Sequence, residues 1–291
     1  MKAQASLRTP KGWSYFLLLA ACHLAAPKKN HGVTMLVINF FKELHRRNAP
    51  FFYLGMALSA LFLLFLVTFR SCENSLSEVC HWLKPCKFSA SFAVYAFSLG
   101  WYLEYLKGIW GEKNIRRVTW LLLAIISIEI VLVIFQGWVT SVSYMDLHLS
   151  NAVTALFSRK LYILANAIII SDSVVILFIT FQFFRKIALE PEAYLWSIRA
   201  GFVALILSSL LGAFVIAWYG QVPIDPTYYG LPFTRFTNRD NLISMHFLGI
   251  HYLQALPFCC YFFQKYLGKK FILSAMTIFV IGSLFFVFKA I

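Results

Sequence analysis

Apolar residues run almost without interruption in seven stretches of about 20 residues each, near positions 51–69, 89–107, 118–138, 161–184, 195–219, 243–264 and 271–289, with short polar connections between them. A helix of that length crosses the ~30 Å hydrocarbon core of a bilayer, and it satisfies every backbone N–H and C=O within itself, as lipid requires. A membrane strand would instead show about ten residues of alternating polarity. The pattern predicts an all-α polytopic transmembrane helical bundle of about seven spans, covering residues 51–291.

The first 50 residues break this rhythm. Lys2, Arg8 and Lys11 precede a short apolar stretch from Tyr15 to Ala26, closed by Pro27, Lys28 and Lys29. It is too short to span and has the shape of a signal peptide. Leu19-Ala20-Ala21-Cys22 matches a bacterial lipoprotein cleavage pattern, and a start at Met35 is the alternative. Residues 1–34 therefore form a signal-like or mis-started segment. Residues 35–50 form an amphipathic cytoplasmic one, with Ile38, Phe40, Phe41 and Leu44 ending in His45-Arg46-Arg47.

Composition agrees with the spans. Of 291 residues 60% are hydrophobic and 13% charged, against roughly a quarter charged in a soluble domain, so the bilayer is the first partner. The formal charge of +14 would raise nucleic-acid binding in a soluble protein, but here the basic residues gather at span ends, where they set orientation and meet anionic headgroups. Nucleic acid is not an expected partner. Lys42, Arg46, Arg47, Lys107, Lys113, Arg116, Arg117, Arg185, Lys186, Lys265, Lys269 and Lys270 fall on one side. The positive-inside rule then predicts a cytoplasmic N-terminus and a periplasmic C-terminus. The longer loops face outward, including the turn-rich segment from Gly220 to Asn241. Cys72, Cys80 and Cys86 in the first loop would pair only in an oxidising compartment, whereas Cys259 and Cys260 read as small packing residues.

Ionisable groups inside spans carry the functional expectation, since each costs at least about 2.5–3.5 kcal/mol to insert. They are Glu129, Asp172, His246 and His251, with Gln136, Asn166 and Gln254 as neutral companions. Glu129 needs a partner, as interhelical glue or as a proton or substrate site, and Gln136 lies two turns on along nearly the same face. Asp172, within Ser171-Asp172-Ser173, reads first as a packing site built on two small serines and otherwise as a cavity lining. His251 and Gln254 lie about 60° apart around their helix, and His246 and His251 about 140°. One metal held by both histidines therefore needs a distorted helix, for example near Gly249. Lys84 and Lys87 flank Pro85 at a helix start, where they either snorkel or turn inward as the cation that Glu129 or an anionic ligand requires. These residues together, Lys84, Lys87, Glu129, Gln136, His246, His251 and Gln254, make a candidate outer-half site for a small ligand or protons, with His246 and His251 as candidate metal ligands.

Trp82-Leu83-Lys84-Pro85 with Lys87-Phe88, Ile128-Glu129-Ile130-Val131-Leu132 with Gln136, and His246-Phe247-Leu248-Gly249-Ile250-His251 with Gln254-Ala255-Leu256-Pro257 form a set that resembles a family of uncharacterised bacterial inner-membrane proteins, over roughly residues 45–265. Where that family reads Asp-Leu-Arg before the first histidine, this chain has Asn241-Leu242-Ile243, and the role of the arginine would fall to Arg239. The resemblance implies a seven-helix fold in a bacterial inner membrane and no particular activity.

Three function classes follow. A transporter or ion-coupled permease would use Glu129 and the histidines for protons or substrate near the midplane, although seven spans do not divide into repeated halves. A membrane enzyme or redox protein would draw an outward metal or haem site from His81, His148, His246, His251 and the loop cysteines, although no H-E-x-x-H, G-x-S-x-G, phosphate-loop or dinucleotide motif is present. No cofactor is named by any motif. A sensor, assembly factor or scaffold would use the polar groups for helix packing alone.

Overall fold

A computed structural model of the chain describes residues 31–73, 83–139, 152–185, 187, 192–219, 238–262 and 268–290. Among the described residues the fold is all helical: α1 (His31–Arg47), α2 (Ala49–Glu73), α3 (Leu83–Tyr102), α4 (Glu112–Val139), α5 (Ala152–Phe183), α6 (Glu192–Tyr219), α7 (Asn238–Phe262) and α8 (Lys269–Ala290). A 3₁₀ turn, Leu103–Leu106, and one short helical turn, Lys107–Trp110, join α3 to α4. The expectations placed on residues 1–30, on Cys80, His81 and His148, and on the loop from Gly220 to residue 237 lie outside the described residues.

Six helices, α2 and α4 to α8, are long and apolar enough to cross a membrane. The second expected span differs from its sequence reading. α3 begins at Leu83 rather than near 89, because Pro85 falls in the first turn, where its missing N–H has no intrahelical partner to lose. It leaves α-geometry after Tyr102, short of 107, and the connection closes at Gly111, whose φ of 74° ends the helical turn. α3 nevertheless traverses the bundle. Its 20 residues cover about 30 Å, and it runs antiparallel to α2, with Cys86 against the carbonyl of Phe62 at one end and Gly100 against Phe51 at the other. Cys86 is a free, buried thiol.

Two tight antiparallel pairs organise the bundle, α2 with α3 and α6 with α7. In the second, a Cβ on Gly201 would stand 2.7 Å from the Cα of Leu253, and one on Gly249 would stand 2.7 Å from the Cβ of Ser208. Small residues thus let the backbones approach, the usual source of helix association where lipid removes the hydrophobic drive. α8 leans on this pair through Phe279, whose ring lies 5.0 Å from that of Tyr252. α4 and α5 close the bundle against α3, around a core that includes Leu99, Leu103, Leu122, Ile126, Ile176 and Ile179. Ile170, Val174 and Phe181 on α5, and Ile278, Phe285 and Phe288 on α8, are exposed along faces suited to lipid.

Hydrogen bonds from α3 tie the pairs together, Trp101 donating its Nε1–H to the hydroxyl of Tyr194 in α6 at 3.2 Å. Tyr102 of α3 donates its hydroxyl to the carbonyl of Leu253 in α7 at 3.1 Å. α1 packs its apolar side on the end of the bundle through Leu44, which is fully buried, and through Phe40 stacked on Trp101 at 5.1 Å. Arg47, 5% exposed, lies 4.2 Å above the Trp101 ring and donates to Glu43 at 2.9 Å and to the carbonyl of Trp101 at 3.3 Å. Burial alone would push the Glu43 carboxyl up, but the hydrogen bonds and charges of Arg46 and Arg47 outweigh it and hold the group below its ordinary 4.5.

Candidate functional site

Three spans bring their polar groups to one place. Asp172 sits close to the middle of the apolar stretch Ile163–Phe183 of α5. Its Oδ2 accepts a hydrogen bond from the hydroxyl of Tyr95 in α3 at 3.2 Å. Glu129 of α4 lies within electrostatic reach of both Asp172 and Tyr95. The other Asp172 oxygen, Oδ1, is buried with no hydrogen-bond partner among the described residues.

Local sequence explains the convergence. Around Glu129, Ile125, Ile126, Ile130 and Val133 are buried while Ile128 and Val131 are exposed, so α4 presents one face to its neighbours and the other to lipid. On α5, Ser171 donates to the carbonyl of Ala167 at 2.8 Å and Ser173 to that of Ile169 at 2.9 Å. Both hydroxyls are thereby satisfied within their own helix. The interhelical bond from this polar island is made by the aspartate itself. Among the described residues no lysine or arginine forms an ion pair with either carboxylate.

The remaining candidate residues lie elsewhere. Lys87 is exposed, eight residues and about 12 Å along α3 from Tyr95, and it pairs with neither carboxylate. The side chains of Lys84, Gln136 and Cys72 are outside the described residues. His246 is held between α6 and α7: its Nδ1 lies 2.7 Å from the carbonyl of Ser208, and the Ser208 hydroxyl donates to the carbonyl of His246. Nδ1–H is then the donor, which leaves the Nε2 lone pair as the imidazole's acceptor. A Cβ on Gly212 would stand 2.8 Å from that Nδ1, so the glycine makes room for the ring. His251 is half-buried on a different side of α7, its ring 4.4 Å from that of Phe247. Gln254, with its amide nitrogen assigned as the donor, bonds back to the carbonyls of Ile250 at 2.9 Å and His251 at 3.1 Å.

Among the described side chains, Glu129 and His246 stand in separate arrangements. Glu129 belongs to a carboxylate centre on α3, α4 and α5, and His246 to a clamp on α6 and α7. Among the described residues no three of His, Cys, Asp and Glu come together as metal ligands would. Tyr95 and Ser208, which complete the two arrangements, carry no mark in the sequence that separates them from the other tyrosines and serines. Asp172 did carry one, as an ionisable residue inside a span. The chain matches no protein-family profile, no curated protein and no solved structure.

Proposed function

We propose that this integral membrane protein binds protons reversibly at the Tyr95, Glu129 and Asp172 centre, and couples that binding to the binding or transport of a small ligand. The supporting observation is that two carboxylates from different spans lie within electrostatic reach of each other, with no paired cation among the described residues. Two carboxylates that feel each other's charge in an apolar medium each make the other costlier to ionise, which favours a proton or a cation at the centre. Tyr95 already satisfies Asp172 Oδ2, and the unpartnered Oδ1 is the atom open to a proton. The same reading includes the resemblance to bacterial inner-membrane proteins and a cytoplasmic position for α1. In its support, the basic residues of α1, of the α3–α4 connection and of the α8 start share one end of the bundle, where Asn48 reaches Thr119 and Lys269 reaches Glu192.

Infrared difference spectroscopy of the reconstituted protein across a pH titration tests this directly. A carboxyl C=O band that titrates in wild type, and is lost in both Asp172→Asn and Glu129→Gln, is the expected result. A spectrum with no titrating carboxyl, or one unchanged in both variants, would overturn the proposal.

A further inference from the structure

The α1 end of the bundle carries more positive charge than its carboxylates engage. Glu43 is taken by Arg46 at 2.6 Å and Arg47 at 2.9 Å, Glu104 by Lys107 at 2.6 Å, and Glu192 by Lys269 at 3.0 Å. That leaves exposed Glu112, in the first turn of α4, against exposed Lys42, Lys113, Arg116 and Arg117. None of these four cations forms an ion pair among the described residues.

Two independent observations put them at the depth of lipid headgroups. Asn48, at the α1–α2 junction, donates to the hydroxyl of Thr119 at 3.0 Å, which sets the first turns of α4 beside the end of α1. Trp120 and Leu121, 60% and 50% exposed, follow Arg116 and Arg117 by one turn, about 5 Å along the axis. Lipid-facing apolar surface therefore begins immediately beyond the arginines, with a tryptophan at the boundary where such rings concentrate. α1 shows the same division: Met35 and Ile38 are uncovered apolar side chains, and Lys42 is an exposed cation on the same helix.

We propose that the ledge formed by α1 and the first turns of α4 binds the headgroups of anionic phospholipids. Lys42, Lys113, Arg116 and Arg117 supply the charge, and Met35, Ile38, Trp120 and Leu121 meet the acyl chains. An acyl chain is what separates this ligand from free phosphate, which would leave the apolar rim uncovered.

Native mass spectrometry of the full chain in detergent, with equimolar phosphatidylglycerol and phosphatidylcholine, tests the assignment. The expected result is preferential retention of phosphatidylglycerol. Each of Lys113→Gln, Arg116→Gln and Arg117→Gln should lower it about fivefold, the equivalent of about 1 kcal/mol for a basic residue at a membrane surface. The triple variant should abolish the preference, while Lys160→Gln, at the far end of α5, should leave it intact. All four side chains are exposed, and matching thermal unfolding of the variants verifies that the fold is kept. Equal retention of the two lipids, a preference that survives the triple variant, or an equal loss in Lys160→Gln would overturn the proposal.

Discussion

Tyr102 of α3 donates to the carbonyl of Leu253 at 3.1 Å, and that is the carbonyl which Pro257, four residues further along α7, cannot bond. A proline inside a helix removes one i to i−4 hydrogen bond, and within a membrane the orphaned carbonyl must find another donor. Here the donor comes from a different helix, so a local defect in α7 becomes a tertiary bond.

Removing the tyrosine hydroxyl should therefore leave the Leu253 carbonyl buried and unpaired. Tyr102→Phe is expected to destabilise the folded protein by about 1–2 kcal/mol. In a Pro257→Ala background, where α7 can bond its own carbonyl, the same change should cost less than about 0.5 kcal/mol. A double-mutant cycle measured by reversible unfolding in detergent would reveal this coupling, and additive effects would contradict it.

Close backbone approach makes a second prediction. A Cβ at Gly201 meets the Cα of Leu253 at 2.7 Å, and a backbone atom cannot swing aside as a side chain can. Gly201→Ala should cost about 1–3 kcal/mol, the range for overpacking. Gly268→Ala, with nothing within 4 Å of the added carbon, should show no packing penalty in the same unfolding assay.

The carboxylate centre separates a structural role from a functional one. Tyr95→Phe removes the donor to Asp172 Oδ2 and should destabilise the fold by about 1–3 kcal/mol, provided the aspartate remains. Combined with Asp172→Leu, the tyrosine hydroxyl no longer has that acceptor and its removal should matter little. If Asp172→Asn lowers stability without altering the infrared titration, the centre is glue between helices and not a proton site.

Glu43 carries the pH prediction. Its folded carboxyl sits below 4.5, so the stability it lends to α1 is fully present above that value and is lost as pH falls through the folded one. Hydrogen exchange of the α1 amides should accelerate in that acid window, and Glu43→Gln should exchange faster at neutral pH while losing the acid step. An α1 whose protection is the same in both proteins at every pH would contradict the role of the Glu43 and Arg47 pair.

How much of this was legible follows from what each feature depends on. The spans were, because lipid demands long apolar runs and only a helix satisfies the backbone within one segment. The functional weight of Glu129 was also visible, since ionisable groups in such runs are rare. Its partner was harder to see. Rotation about α3, α4 and α5 decides that Asp172, rather than a histidine of α7, lies within reach, and a rotation is set by packing that no single span encodes. The α3 boundaries moved for a local reason, as Pro85 permits a helix start that the run of apolar residues alone would place later. The Arg47 stack on Trp101 was invisible for the opposite reason: a basic residue at a span end ordinarily reads as a topology signal, and nothing in its neighbours says it turns inward.

Tyr95 and Tyr102 lie seven residues apart on one stripe of α3, one reaching α5 and the other α7. These two bonds moor one stripe of the helix at two depths. Rolling it about its long axis would slacken both moorings together, whereas tilting it would stretch one as it eased the other. A change in the carboxylate centre thus has a lever arm of about 10 Å through which to press on the proline-weakened stretch of α7.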